Sequence, residues 1–185
     1  MKVRTFQRLY NIREKFGPQL FGKIAQKLLA LAFYDAGYPY IVERGVQGVD
    51  IDAANAQDKK YALEVKTTDS DTISISQDNI DALQDRASDG YVPIIAALRV
   101  QMFEQWVIAR FPLNQIRPGS ILLSRLRAYR VDDLEASVNP AFETVVNQHF
   151  NGVLARGEHY LIELLAQKHT EHTQNSLALI GSRYE

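Results

Sequence analysis

Four charged residues in one short stretch are placed where they could do chemistry. In GVDIDAANAQDKKYALEVKTT, residues 48–68, Asp50 and Asp52 fall in one strand-like run and Glu64 and Lys66 in the next. Residues two apart on a strand point the same way, so Glu64 and Lys66 share a face, as do Asp50 and Asp52. If the polar NAQDKK between the runs is a hairpin turn, the two strands pair and their facing side chains lie about 5 Å apart. Two carboxylates at that separation can be bridged by one hard cation. Mg²⁺ prefers oxygen ligands and keeps several waters. A lysine beside it can orient or deprotonate a water, and the ion stabilises charge on a phosphoryl oxygen. Such a set suits hydrolysis of a phosphodiester. Strand periodicity alone does not choose between Asp50 and Asp52. A half-exposed hairpin carrying surface ion pairs would show the same residues, at about 0–1 kcal/mol per pair.

The elements that must position this set are legible along the chain. Residues 4–15 read as a helix that FGP interrupts at 16–18, leaving Pro18 for the first turn of a second helix. QLFGKIAQKLLALAFYDAG continues at helical spacing and Gly37 closes it. YPYIVER, GVDIDA and KYALEVKTT read as strands. After a polar loop, SQDNIDALQDRA reads as a helix capped by Ser76, and DGYVPIIAALRV and EQWVIARF as two further strands. The succession predicts an α/β fold, a mixed central sheet flanked by helices. From Pro112 onward, SILLSRLRAYRV fits strand or helix, while NPAFETVVNQHF and GEHYLIELLAQKH read as helices. The division expected is a core with N-terminal helices over 1–111 and a largely helical C-terminal extension over 112–185, packed together as one domain.

Composition narrows the function classes. A chain of 185 residues with 46% hydrophobic and 23% charged residues folds without a disulfide or structural metal. It has no cysteine, which excludes disulfides, zinc–thiolate sites and thiol nucleophiles. The N-terminus lacks the apolar run of a signal peptide and the longest apolar stretch is too short to span a bilayer; a cytoplasmic protein without membrane contact is expected. No glycine-rich phosphate loop or dinucleotide fingerprint occurs, so no nucleotide cofactor is expected, and no serine elbow is present. Net charge is −1, but residues 1–27 hold seven basic residues against Glu14, and 117–130 hold Arg117, Arg125, Arg127 and Arg130 without an acid. Basic flanks around an acidic centre suit a metal site that grips a polyanion; from charge alone, solvated helix faces are the plainer account.

GVDI followed by LEVKTT resembles the PD-(D/E)XK nuclease superfamily, whose signature is an acid on one strand and Glu-x-Lys on the next. The order of elements is similar to the archaeal-type Holliday junction resolvases and related restriction endonucleases. The likeness runs over residues 17–110 and includes the helix and strand of SISQDNIDALQDRASDGYVPIIAALRV. It implies a restriction-endonuclease-like core, Mg²⁺ dependence with Mn²⁺ as a substitute, and cleavage of branched or duplex DNA by a homodimer. It also implies roles: Asp50, which follows GV as in the family motif, and Glu64 hold the ion, the Val65 carbonyl completes its shell, and Lys66 is the catalytic lysine. GKIAQ places Gly22 correctly but puts Gln26 where the family has Glu. An amide orients water but binds Mg²⁺ weakly, which bears on a second metal and on full activity.

Secondary candidates surround this set. Gln77, opening the following helix, is a candidate contact to phosphate or metal-bound water; a solvent-facing helix residue is the plainer account. Lys23 and Lys27 either meet phosphates or form a solvated helix face. Arg125, Arg127 and Arg130 are further DNA-contact candidates, with Tyr129 beside them. His169 and His172 share a helix face, but no third metal ligand accompanies them. The expected function is a Mg²⁺-dependent, structure-selective DNA endonuclease. The rivals are a sequence-specific restriction endonuclease and a non-catalytic DNA-binding module that keeps the fold.

Overall fold

The computed structural model describes residues 1–44, 48–101 and 104–181, with side chains described as far as residue 170. Helix α1 (Val3–Asp35) is two helical halves joined at Gly17, whose φ of 76° leaves the helical region immediately before Pro18. That position is restricted by the proline ring, and glycine adopts it without strain. At the far end the Tyr38 N–H donates to the Phe33 carbonyl and the Gly37 N–H to Tyr34. Gly37, at φ 97°, therefore closes a Schellman motif as the sequence predicts.

Strands β1 (Tyr40–Glu43), β2 (Ile51–Ala54), β3 (Lys60–Thr68), β5 (Val92–Arg99) and β6 (Val107–Ala109) form a five-stranded sheet in the order β1-β2-β3-β5-β6. The β3–β5 pair is parallel; the other neighbours are antiparallel. The β2–β3 hairpin turns where NAQDKK predicts: the Asn55 carboxamide oxygen accepts from the N–H groups of Gln57 and Lys59. Helix α2 (Gln77–Ser88) makes the crossover to β5 and is capped by Ser76 in a reciprocal box with Asn79.

The polar loop before α2 contains a strand the sequence did not announce. Strand β4 (Thr72–Ile75) pairs with β7 (Gly119–Leu122) in a separate ribbon. SILLSRLRAYRV resolves into both of its alternatives, β7 followed by helix α3 (Leu123–Arg127). Helix α4 (Asp132–Arg156) starts earlier than its apolar run, with Asp132, Asp133 and Glu135 in its first turn, where acids favour the helix dipole. Helix α5 (Glu158–Gly181) follows directly.

Each face of the sheet has its own core. Leu63, Val65, Ile94 and Ala96 pack with α1 and α4 on one side. Ala62, Ile95 and Ala97 pack with Ile80 and Leu83 of α2 and with the β4–β7 ribbon on the other. This is the expected mixed sheet flanked by helices. Among the described residues no helix is long and apolar enough to cross a membrane.

Candidate active site

The site arises where β2 and β3 part. Their register pairs Ile51 with Leu63, and the last ladder bond is the Asp50 N–H to the Leu63 carbonyl, 3.0 Å. Beyond it β3 runs on with only β5 beside it. The Val65 N–H on the vacated side is taken by a side chain: Asp50 Oδ2 accepts from it at 2.7 Å. In an extended strand a residue's C=O points to the same side as its N–H, so the Val65 carbonyl faces the same gap. The Asp50 carbonyl in turn accepts from the Arg44 N–H at 3.2 Å and the Gln26 amide at 3.3 Å.

Glu64 and Lys66 point to the α2 side of β3. Glu64 is 2% exposed. Its Oε1 lies 2.7 Å from Lys66 Nζ, and its Oε2 is buried with no hydrogen-bond partner. Burial, then the nearby charge of Asp50, push the Glu64 carboxyl up to about 7, against the pull of Lys66. Burial also raises Asp50, opposed by the Val65 N–H and Lys66. Two carboxylates both raised by burial, one with a buried lone oxygen and raised further by the other's charge, are the donor set that a hard divalent cation satisfies. Among the described residues no group of three or more His, Asp or Glu converges for a metal. The set is therefore two carboxylates and a carbonyl, which leaves positions for water and phosphate, as Mg²⁺ favours.

Asp50 and Asp52, equivalent by strand periodicity, are separated by geometry. Asp52 is 3% exposed and its oxygens are taken by two arginines. Arg44 Nε donates to Oδ2 at 2.6 Å. Arg86 donates from Nε to Oδ1 at 3.1 Å and from Nη2 to Oδ2 at 2.8 Å. Asp52 is thus committed to tying α2 and the β1 end to β2.

A cleft of about 400 Å³ opens beside Asp50, lined by Lys23, Gln26, Lys27, Glu43 and Arg44. Lys23 is exposed and has no acidic partner among the described residues. Lys27 is held by Glu43 at 2.8 and 3.0 Å and by Glu158 at 3.6 Å. Gln77 is turned away, donating to Asp81 at 2.7 Å on the exposed face of α2. The α2 residue that meets the lysine is Asn79, whose Oδ1 accepts from Lys66 Nζ at 3.3 Å and from the Ser76 N–H at 3.0 Å. The arginines of the extension have other engagements. Arg125 sits 5.0 Å from the Phe111 ring centre, Arg127 pairs with Glu104, and Arg130 with Asp132. The side chain of His172 lies outside the described residues.

The sequence missed Arg44, Arg86 and Asn79. Asn79 was visible as a first-turn residue of a capped helix, but its contact to Lys66 depends on where α2 docks. Arg86 lies 34 residues from Asp52, with no local signal joining them.

No family model matches the chain, and no curated protein matches it. Among solved structures, the 1.6 Å structure of Archaeoglobus fulgidus Hjc, a Holliday junction resolvase from an archaeal hyperthermophile, is similar at 20% identity with a TM-score of 0.47. That likeness covers 59% of this chain and 90% of Hjc, which makes an archaeal resolvase a structural neighbour of this protein.

Proposed function

We propose that this protein is a Mg²⁺-dependent DNA endonuclease that hydrolyses phosphodiester bonds and selects branched DNA, acting as a homodimer. The observation that carries this is the buried, partnerless Oε2 of Glu64, a carboxyl that the charge of Asp50 raises, with Lys66 Nζ 2.7 Å from the other glutamate oxygen. Asp50, Glu64 and the Val65 carbonyl would hold the ion. Bound there, Mg²⁺ supplies Lewis acidity at the scissile phosphate. Lys66, fixed between Glu64 and Asn79 on a half-buried strand, presents an ammonium donor that orients the attacking water. The Val65 N–H and the Gln26 amide hold Asp50 from both ends, so the carboxylate is oriented before substrate arrives. Displacement in line leaves a 5′-phosphate, as the sequence resemblance implies. Selection of branched DNA rests on that resemblance too, and a two-fold dimer matches a two-fold junction.

The test is incubation with a synthetic four-way junction and a matched linear duplex, in Mg²⁺, in Mn²⁺ or in EDTA. Cleavage should require the metal and favour the junction. Asp50→Asn, Glu64→Gln and Lys66→Ala should each lower it by roughly 100-fold or more, the scale of an acid–base or electrostatic contribution. Cutting that survives in both carboxylate variants refutes the residue assignment. Binding without cleavage under every metal condition replaces it with the non-catalytic module, and cutting of the linear duplex at one sequence replaces the resolvase with a restriction enzyme.

A further inference from the structure

One arginine near this site has no partner among the described residues. Arg99 ends β5, in register with Thr68 of β3, two residues beyond the pair Lys66–Ala97. Its face follows from alternation. Ile94, Ala96 and Leu98 belong to the α1-side core. Ile95 and Ala97 belong to the α2-side core. Arg99 therefore points to the α2 side, which Glu64 and Lys66 share. Strand spacing and rise put its Cα about 8 Å from that of Lys66. A guanidinium on that stem reaches the ground beside the lysine.

Arg13, Arg44, Arg86, Arg127, Arg130 and Arg156 each pair with a carboxylate. Arg99 has no hydrogen bond or ion pair among the described residues, and its Nε is fully buried without an acceptor. The adjacent Thr68 hydroxyl is already spent on the Thr72 carbonyl at 2.8 Å. A partly buried cation with an unmet donor costs stability. The two Nη atoms of Arg99 are also without partners among the described residues but are not buried, so an anion arriving from outside can take two N–H donors there at once, and phosphate has this geometry.

We infer that Arg99 is a phosphate-contact residue that grips the DNA backbone next to the scissile position, on the β5 side of Lys66. This rests on the nuclease proposal for the identity of the anion, but the anion site itself does not. Binding of the junction and the linear duplex is measured by fluorescence anisotropy in EDTA from 50 to 200 mM salt. The proteins are wild type, two neutral variants (Arg99→Met and Arg99→Gln) and Arg99→Lys. The neutral variants should bind about tenfold more weakly, and their log–log salt slope should be smaller by about 0.9, one phosphate contact fewer. Arg99→Lys should keep the slope and lose part of the affinity. Urea midpoints of the neutral variants should equal or exceed that of wild type, because no ion pair is removed.

An unchanged salt slope in a neutral variant that folds overturns the inference and leaves the nuclease proposal standing. Unfolding of both neutral variants makes Arg99 a packing residue and also overturns it. If wild type neither binds nor cuts DNA, the nuclease proposal fails and inorganic phosphate decides the rest. Thermal stabilisation by phosphate that is lost in Arg99→Met sustains the anion site; an equal response in both proteins overturns it.

Discussion

Glu64→Gln should make the metal-free protein more stable at pH 8. The glutamate carboxyl, ordinarily titrating at 4.5, is pushed up to about 7 by burial and by Asp50. Between those values the folded chain holds a proton that the unfolded chain has released, so stability falls as pH rises. The stability present below 4.5 is lost through 7, and the loss by pH 8 is about 3 kcal/mol at 1.36 kcal/mol per pKa unit. Glutamine keeps the shape and carries no charge, so the variant escapes this loss. That loss is already net of the ion pair to Lys66, whose pull opposes the rise and which glutamine gives up. The net expectation is a gain of about 3 kcal/mol at pH 8, or roughly 6–12 °C in Tm for a chain of this size. Urea and thermal unfolding in EDTA at pH 5 and pH 8 measure it, with the gap closing at the lower pH. Mg²⁺ at 100 times its Kd should then raise wild type by about 2.7 kcal/mol at pH 8, and Glu64→Gln hardly at all. A variant less stable than wild type at pH 8 in EDTA, or a gap that ignores pH, refutes the reasoning.

Asp50 and Asp52 should separate in the same experiment. Asp52→Asn strands Arg86, 13% exposed, and Arg44, and should cost about 3 kcal/mol in urea unfolding, the scale of a broken buried pair; Asp50→Asn should change stability by less than about 1 kcal/mol, since its amide oxygen still accepts from Val65. Glycines 22 and 152 should also diverge. A Cβ at Gly22 meets only Thr67 Oγ1 at 3.5 Å, so Gly22→Ala gains about 0.5–1 kcal/mol of helix propensity. At Gly152 it meets the Tyr160 ring at 2.5 Å, a ring whose hydroxyl is tied to His149 at 2.9 Å, so Gly152→Ala should lose about 1–3 kcal/mol by overpacking. Thermal melts read both.

What the sequence could show was whatever is local. Ser76 and Asn79 cap α2 across three residues, Gly37 closes α1, and Asn55 folds its own hairpin; each signal lies within one turn of the chain. The pairing of β4 with β7 joins two four-residue strands far apart in sequence, and four residues such as Thr72–Ile75 carry too little periodicity to announce a partner. Strand periodicity could not choose between the two aspartates for a sharper reason. A period of two makes them equivalent, and only the end of the β2–β3 ladder at Asp50, together with the arrival of Arg86 from α2, makes them different. The basic flank was ambiguous in the same way. Lys15 donates to the Leu154 carbonyl at 2.6 Å and Arg13 pairs with Asp69, so much of that charge fastens α1 to its neighbours and leaves few cations such as Lys23 and Arg99 for a polyanion.

The extension from residue 112 also does something that hydrophobic patterning conceals: it closes an edge of the sheet. Among the described residues β6 meets no strand on its outer side, only one antiparallel bridge, in which the Val131 N–H donates to the Ile108 carbonyl and the Arg110 N–H to the Tyr129 carbonyl. Asn139 of α4 meets it as a strand would, accepting from the Trp106 N–H at 2.9 Å and donating to the Trp106 carbonyl at 3.1 Å. Glu135, one turn earlier, accepts from the Ile108 N–H at 2.9 Å. An exposed edge invites pairing with another chain, and covering it by a helix is one of the ways proteins prevent that. Asn139 is 4% exposed, so Asn139→Leu keeps the volume while stranding two buried backbone groups at about 1–3 kcal/mol each. Urea unfolding should therefore show a loss of roughly 2–5 kcal/mol, and light scattering should show more self-association near the midpoint. Glu135→Gln, which still offers an oxygen to Ile108, should lose far less. A loss below 1 kcal/mol in Asn139→Leu would mean that water reaches the β6 edge, and that α4 rests on the sheet through its apolar face alone.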